Sequence, residues 1–486
     1  MCKSALPIII QGGMGVAVSA WQLAKAVSLT GQLGVVSGTA LDVVLARRLQ
    51  LGDPGGHLRR ALAEFPLPDM AKRLLDRYFL PSGKRANMPF GVQKLLDEAP
   101  SQERCEMIVV ANFAEVFLAK EDHPGLVGIN YLEKIQAPTL PSLFGALLGG
   151  VDYVLMGAGI PTNIPRAIDR LCEGEPATLP LKVDGAGPDD RYSLQFDPEK
   201  FTQGRVPWLR RPKFLPIVAS ATLATMLARK STGAVDGFVV EGPSAGGHNA
   251  PPRGKMQLND RGEPLYGERD LVDLTALREL GLPFWLAGSC GSPDQVVHAI
   301  ESGATGVQVG TAFAFCNESG MSESIRRQVI QACISADIDV RTDPVASPAG
   351  FPFKVLSLLG SLSESAAYQL RQRRCDLGFL RQAFKTADGS IGWRCPAEAV
   401  AAYVHKGGSE ADTAGRKCVC NGLMANVGLG QVRSDGSHEL PLVTCGDDVK
   451  NLTQFLKSPG RLNYSARDVV THLLSLISTR ASVAAC

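Results

Sequence analysis

The chain has 486 residues, of which 45% are apolar, enough for about three average domains or one large α/β barrel with additions. Its 50 basic and 48 acidic residues give a net charge of +2 without long like-charge runs, which argues against a nucleic-acid or anionic-membrane partner. The 12 cysteines are too sparse for a disulfide-stapled secreted scaffold, and prolines and charges interrupt every long apolar run. We therefore predict a cytoplasmic protein without a membrane segment.

Short apolar runs of strand character recur along the first two thirds of the chain, most of them followed by a turn residue and a helical pattern. They predict strands at residues 6–10, 33–37, 125–132, 151–156, 214–219, 237–241, 283–288 and 306–309. Eight strands with mostly helical connections predict a (β/α)8 TIM barrel, with an open doubly wound sheet as the alternative. Residues 107–110 are a ninth strand candidate for eight places.

Three segments extend this pattern. A helical insertion is predicted after strand 2, over 52–104, and a polar excursion over 173–211. Residues 1–320 would form the barrel and 321–486 a mainly helical C-terminal addition, with helices at 323–336, 355–384 and 466–477. Near the N-terminus, Ser19 is expected to cap a helix over 20–29.

Glycines cluster at the ends of the predicted strands, which in a parallel barrel form the face that carries the active site. Glycine there exposes backbone N–H groups that can bind an anion. The last two predicted strands end in Gly288 with Gly291 and in Gln308-Val309-Gly310-Thr311, the usual position of a phosphate site. The turn Glu241-Gly-Pro-Ser-Ala-Gly246-Gly247-His248 brings one imidazole to the same face, where it becomes a candidate acid or base.

These motifs resemble, in order, those of the nitronate monooxygenase superfamily of FMN-dependent enzymes, formerly called 2-nitropropane dioxygenases. The resemblance covers residues 5 to about 320. It rests on the motifs Pro7-Ile-Ile-Ile-Gln-Gly-Gly-Met14, Gly128-Ile-Asn130, Gly157-Ala-Gly-Ile-Pro161, Gly246-Gly-His248, Ala287-Gly288 and Gln308-Val-Gly-Thr311. That superfamily also includes flavin enoyl-acyl-carrier-protein reductases and trans-acting enoyl reductases of polyketide and polyunsaturated fatty acid synthesis.

The resemblance implies an oxidoreductase with FMN bound non-covalently at the top of the barrel. Gly12, Gly13 and Met14 would line the flavin ring, Asn130 would hydrogen-bond it, and Gly246 and Gly247 would pass close to it. Gly288, Gly310 and Thr311 would hold the phosphate, and Gln308 and Val309 of the same strand end would also belong to the cofactor site. His248 would be the base in oxidation of alkyl nitronates with O2, or a proton donor in a reductase.

One difference from the monooxygenase motif leaves the type of reaction undecided. Glu241 stands where many monooxygenase members have Gln, and a carboxylate there resembles the enoyl reductases, although it would also suit a ribityl hydroxyl partner. The alternatives to a nitronate monooxygenase are therefore an NAD(P)H-dependent enoyl reductase and a non-catalytic accessory subunit. The substrate would be a small molecule or an acyl-carrier-linked group, and a homo-oligomeric assembly stays open.

Four late cysteines, Cys375, Cys395, Cys418 and Cys420, are spaced C-x19-C-x22-C-x-C. Four thiolates are the right number for zinc or an iron–sulfur cluster, but the spacing is unspecific, and scattered reduced cysteines are the competing interpretation. The segment 422–430 beside them is predicted to pack on the barrel or to approach the flavin as a lid.

Overall fold

The computed structural model describes residues 6–458 and 460–477. Eight parallel strands form its central sheet. They are β1 (Ile9–Gln11), β2 (Gly34–Ser37), β3 (Val127–Leu132), β4 (Tyr153–Gly157), β8 (Lys213–Val218), β9 (Phe238–Glu241), β10 (Phe284–Ala287) and β11 (Gly306–Val309). The remaining strands are β5 (Ala177–Pro180), β6 (Val183–Asp184), β7 (Ser193–Phe196), β12 (Val340–Asp343), β13 (Phe353–Leu356), β14 (Gln382–Lys385) and β15 (Ile391–Arg394).

The central sheet closes on itself. Its order is β1-β11-β10-β9-β8-β4-β3-β2, and the remaining gap between β1 and β2 is bridged at Ile10 and Leu33. Across that gap the Gln11 amide donates to the Leu33 carbonyl at 2.9 Å, and the Leu33 amide donates to Ile9 at 3.1 Å. The prediction of a (β/α)8 TIM barrel is confirmed, and each of the eight predicted runs overlaps a barrel strand.

The barrel interior is filled by large apolar side chains. One buried cluster is built from the inward positions of the strands: Ile10, Leu33, Val35, Tyr153, Leu155, Leu215, Val239, Trp285 and Ala287. Trp285 is fully buried, and its indole N–H donates to the Pro7 carbonyl at 2.8 Å. Because the interior is packed, open space for a ligand has to lie above the strand ends.

Helices surround the barrel and form most of its connections. They are α1 (Trp21–Ser28), α2 (Leu41–Gln50), α3 (His57–Ala63), α4 (Pro68–Tyr78), α5 (Gln102–Lys120), α6 (Thr139–Leu148), α7 (Ile164–Cys172), α8 (Pro198–Thr202), α9 (Ala221–Lys230), α10 (Leu274–Glu279), α11 (Pro293–Glu301), α12 (Thr311–Ala314), α13 (Glu323–Ile334), α14 (Ser365–Leu370), α15 (Val400–His405), α16 (Val419–Asn426) and α17 (Ala466–Leu473). Single 3-10 segments occupy Pro54–Gly56, Glu268–Asp270, Glu410–Thr413 and Asp447–Phe455.

The ninth strand candidate, residues 107–110, lies inside helix α5. The Ser101 side chain caps this helix by accepting from the Arg104 amide. Helix α5 is buried along most of its length between the barrel and the insertion that carries α3 and α4, and residues 107–111 form an uninterrupted apolar run within it. A short window of such a helix has the same composition as a buried strand, which explains the ambiguity.

The C-terminal region contains less helix than predicted. The expected helix over 355–384 is wrong: the segment leaves strand β13, passes through the short helix α14 and enters strand β14. Strand β14 pairs with β15 and with β6 of the excursion, so the two additions join in one small sheet. The division into residues 1–320 and 321–486 stays a prediction, and apolar residues from both sides share the same buried clusters.

No helix in the described part of the chain is long and apolar enough to cross a membrane.

Candidate active site

A large cavity opens at the carboxyl ends of the barrel strands. It has an empty volume of about 1580 Å³ including the solvent at its mouth. Every residue that the sequence analysis assigned to the flavin or to proton transfer lines it: Gly12, Gly13, Met14, Asn130, Glu241, Gly246, Gly247, His248, Gly288, Gln308, Val309, Gly310 and Thr311. The fold therefore brings together residues that are up to about 300 positions apart in the sequence.

The loop after β1 is held in place by Ser19. Its hydroxyl accepts from Gln11 Nε2 and from the Met14 amide, both at 2.9 Å, and donates to the Gly12 carbonyl at 2.9 Å. The prediction that Ser19 caps α1 is wrong, because Ala20 occupies the cap position and makes no side-chain cap bond. Ser19 instead fixes the cavity wall formed by the residues 12–14.

Several buried side-chain oxygens that line the cavity have no hydrogen-bond partner among the described residues. They are Thr39 Oγ1, Asn130 Oδ1, Gln308 Oε1 and Asn426 Oδ1. Asn130 is kept in place by its amide nitrogen, which donates to the Gly13 carbonyl at 3.4 Å. Buried acceptors of this kind are normally satisfied, so these atoms fit a polar ligand that presents N–H or O–H groups.

The predicted phosphate end of the cavity is lined by backbone and hydroxyl groups. Gly288 has φ +98°, and a Cβ there would lie 3.0 Å from Ser244 Oγ. Thr311 Oγ1 accepts from the Gly446 amide at 2.9 Å. Among the described residues no Lys or Arg lines the cavity, so an anion would depend on backbone N–H groups.

Asp448 lies at the same end of the cavity and hydrogen-bonds Thr311. Burial raises the pKa of Asp448, although the hydrogen bond from Thr311 partly opposes this. The sequence analysis missed this carboxyl because it comes from the C-terminal region, which carries no recognised motif there. When ionised, it would repel a phosphate.

The glycines of the turn before His248 are needed for chain packing as well as for ligand access. A Cβ on Gly246 would lie 2.7 Å from the Cys445 carbonyl carbon, while Gly247, with φ +80°, has nothing within 4 Å of a Cβ. Similarly, a Cβ on Gly13 would collide with Asn130 at 2.3 Å. Gly246 and Gly13 therefore let neighbouring chain segments approach, and Gly247 faces open space.

His248 follows this turn and contacts two C-terminal residues. Its Nε2 lies 2.6 Å from Ser347 Oγ, and its ring meets Phe353 edge to face at 4.8 Å. Burial lowers the pKa of His248 to about 4. The imidazole is consequently neutral at pH 7.

Glu241 ends strand β9 and also lines the cavity. Burial raises the pKa of its carboxyl to about 8, and no described residue hydrogen-bonds or pairs with it. A substantial fraction of Glu241 is therefore protonated at neutral pH and can donate a hydrogen bond.

The C-terminal region supplies 11 of the 41 residues that line the cavity. Its contributors are Met321, Phe353, Phe379, Leu380, Val419, Cys420, Leu423, Asn426, Thr444, Cys445 and Asp448. Residues 422–430 were predicted to pack on the barrel or to approach the site as a lid, and helix α16 at that position does line the cavity. The remaining wall residues carry no motif that would have identified them from the sequence.

Cys375, Cys395, Cys418 and Cys420 converge on one small cavity. However, within residues 6–458 and 460–477 no group of three or more His, Cys, Asp or Glu side chains is arranged to hold a metal ion. A hydrogen bond with Cys395 lowers the pKa of Cys375, and Cys418 Sγ accepts from Asn421 Nδ2 at 3.4 Å. The described geometry therefore gives no support to a zinc or iron–sulfur site at these four cysteines, which stays a prediction beside the interpretation as reduced thiols.

This site, at the top of a closed parallel barrel, defines a TIM-barrel protein with a covered ligand cavity. Residues 206–389 match the nitronate monooxygenase family model. Nitronate monooxygenase of Pseudomonas aeruginosa is 34% identical over 110 residues, which cover 23% of this chain and 30% of that protein. Nitronate monooxygenase of Paraburkholderia phytofirmans is 33% identical over 114 residues, which cover 24% of this chain and 30% of that protein. The resemblance to the nitronate monooxygenase superfamily is therefore confirmed.

The matched segment spans about a third of the length of these relatives. The family-model match, residues 206–389, contains the turn with Glu241 and His248 and the ends of β10 and β11, but not Asn130 or the β1 loop. Among solved structures, FabK from Thermotoga maritima superposes with a TM-score of 0.48 at 16% identity, over 98% of this chain and 94% of that one. Nitroalkane oxidase from Streptomyces ansochromogenes superposes with a TM-score of 0.45 at 15% identity, over 98% of this chain and 97% of that one.

Proposed function

We propose that this chain is an FMN-dependent oxidoreductase of the nitronate monooxygenase type, which oxidises alkyl nitronates with O2. The observation that carries the proposal is the convergence of all the flavin residues expected from the resemblance, together with His248, on one cavity at the strand ends. The family match over residues 206–389 supports it.

The cavity residues fit FMN. Gly12, Gly13 and Met14 would line one side of the flavin ring, and the unpartnered oxygens of Asn130 and Gln308 would accept from its polar groups. The backbone at Gly288 and Gly310, with Thr311, would hold the phosphate. When bound, FMN would transfer electrons between the substrate and O2.

The chain's own residues would orient the substrate and exclude water. Phe353, Phe379 and Leu380 cover the cavity with apolar surface. The neutral imidazole of His248 would contact the nitronate, an anion that already lacks its carbon-bound proton. Because no residue in the described part of the chain pairs with Glu241, its carboxyl is free to hydrogen-bond a ribityl hydroxyl.

Enoyl reduction with NAD(P)H is a second candidate, with an acyl-carrier-linked substrate. The observation that favours it is the carboxyl of Glu241, which lines the cavity and whose pKa is raised by desolvation to about 8. Saturation of a carbon–carbon double bond requires a proton in addition to a hydride, and a carboxyl protonated at neutral pH can supply one.

Anaerobic mixing of the purified full-length protein with its substrates separates these reactions. A nitronate followed by O2 should give turnover without a pyridine nucleotide if the first proposal holds. Rapid bleaching of the flavin band near ~450 nm by NADPH alone would instead favour the reductase. A protein that is isolated without flavin and takes up none on soaking would overturn both and leave the accessory-subunit alternative.

A further inference from the structure

A segment of the C-terminal region is fixed against the turn that carries His248. The Lys354 amide donates to the Gly247 carbonyl at 2.9 Å, and the Asn249 amide donates to Pro352 at 2.9 Å. These two bonds flank an antiparallel bridge between His248 and Phe353. The imidazole is therefore located by this segment as well as by strand β9.

Ser347 begins the same segment and is fully buried. Its carbonyl accepts from an Arg416 guanidinium N–H at 2.6 Å, which ties its backbone down. Its hydroxyl oxygen accepts from the Ala349 amide at 3.2 Å and lies 2.6 Å from His248 Nε2. Among the described residues these are the only hydrogen-bond partners of the hydroxyl, so Nε2 is the one acceptor available to its hydrogen.

The direction of the hydrogen bond between Ser347 and His248 follows from burial. If Nε2 carried the imidazole proton, the buried Ser347 hydroxyl hydrogen would be left without an acceptor, which is unfavourable. If the hydroxyl donates to Nε2, the imidazole proton resides on Nδ1. Nδ1 has no partner among the described residues, and His248 lines the ligand cavity, so a ligand or water can satisfy that N–H.

We propose that Ser347 is a positioning residue that donates to His248 Nε2 and holds the imidazole as its Nδ1–H tautomer, so that His248 offers a hydrogen-bond donor to the substrate. This proposal rests on the proposed function and refines it. A donor of this kind would bind a nitronate oxygen, whereas the base role expected from the sequence would need a free lone pair on Nδ1. The protein should therefore accept nitronates that are already formed.

The tautomer can be measured without turnover. Full-length protein labelled with 15N-histidine is expected to show His248 with its hydrogen on Nδ1 and an unprotonated Nε2, the signal being assigned by its loss in H248Q. In Ser347→Ala this preference should weaken or reverse, and in Ser347→Thr, which keeps the hydroxyl, it should persist. Protonated Nε2 in the wild type, or an unchanged tautomer in Ser347→Ala, would overturn the proposal.

Ser361→Ala is a matched control. Ser361 is also fully buried in the C-terminal region, and its hydroxyl donates to the Leu358 carbonyl at 2.8 Å, away from the cavity. This variant should lose a buried hydrogen bond without moving the His248 signal. A change of tautomer in Ser361→Ala would show that loosening of the whole region, rather than the loss of Ser347, is responsible.

Kinetics provide the second readout. We expect Ser347→Ala to lower kcat/KM for a pre-formed nitronate by about 3- to 10-fold, the loss typical of one hydrogen bond, with recovery in Ser347→Thr. The wild type should consume a neutral nitroalkane no faster than the nitroalkane ionises spontaneously; faster consumption would contradict the donor role. If nitronate is not consumed at all, the proposed function fails, while the tautomer measurement still decides the role of Ser347.

Discussion

Gly246 and Cys445 are in backbone contact across the mouth of the barrel, so close that a Cβ on Gly246 would lie 2.7 Å from the Cys445 carbonyl carbon. Residues 444–448 are fixed to the turn by further bonds, from the Gly247 amide to Thr444 Oγ1 at 2.8 Å and from the Asp447 amide to the Ser244 carbonyl at 3.0 Å. The C-terminal region is thus part of the cavity wall rather than a separate attachment.

Gly246→Ala should loosen this contact, because backbone on both sides has to move. We expect a loss of roughly 1–3 kcal/mol in the free energy of unfolding, measured by urea denaturation, and weaker flavin retention. Gly242→Ala is the control in the same turn, since its Cβ would meet Ala287 O at an ordinary 3.7 Å. Equal stability of the two variants would contradict the close approach.

His248→Ala should reduce kcat by roughly 10²–10³-fold, the usual cost of losing a positioned donor, while flavin stays bound. His438, which is exposed, provides the control variant His438→Ala.

Because burial lowers the pKa of His248 to about 4, we expect no change of rate from the titration of this group between pH 5.5 and 8. A pH-dependent change of rate with a midpoint near pH 6.5 that disappears in His248→Ala would contradict the burial of this imidazole.

Glu241 should make stability depend on pH. The pKa of this carboxyl is raised from 4.5 to about 8 in the folded protein, so between these values the folded state binds more protons than the unfolded state. Its contribution to stability is therefore present below pH 4.5 and declines as the pH rises toward 8.

Glu241→Gln should remove that decline. Urea denaturation at pH 6 and pH 8 should then show a smaller change in the free energy of unfolding between the two pH values than in the wild type. The exposed Glu279 offers a control, since Glu279→Gln should leave the difference unchanged. If Glu241→Gln behaves like this control, the carboxyl is already ionised at pH 6.

Asp448→Asn should tighten FMN binding at neutral pH, because it removes a carboxyl beside the predicted phosphate site. We expect a decrease in Kd of roughly 2- to 10-fold in a flavin fluorescence titration. Asp435→Asn makes the same charge change in an exposed loop and should leave Kd unaltered. Weaker binding in Asp448→Asn would mean that the phosphate does not approach Asp448.

The barrel and most of the barrel-derived site could be predicted from the sequence, because each barrel strand is a short local run that ends in a recognisable residue such as Asn130 or Gly288. The contributions of Ser19, Ser347 and Asp448 could not. Ser19 has the local context of a helix cap, and its actual partners depend on how the β1 loop folds back. Ser347 and Asp448 act through contacts about 100 or more residues away in the chain.

The metal prediction could not be decided from the sequence for a related reason. Their positions in one late segment suggested a shared site for Cys375, Cys395, Cys418 and Cys420. The fold does bring these residues to one small cavity. Metal binding also requires the sulfurs to face a common point, which a sequence pattern with a single close pair does not specify.

The absorption spectrum of the gently purified full-length protein, before and after soaking with FMN, tests the central claim most directly. The account predicts flavin bands, with a maximum at about 450 nm, from one FMN per chain bound in the cavity. A colourless protein that takes up no FMN would contradict it.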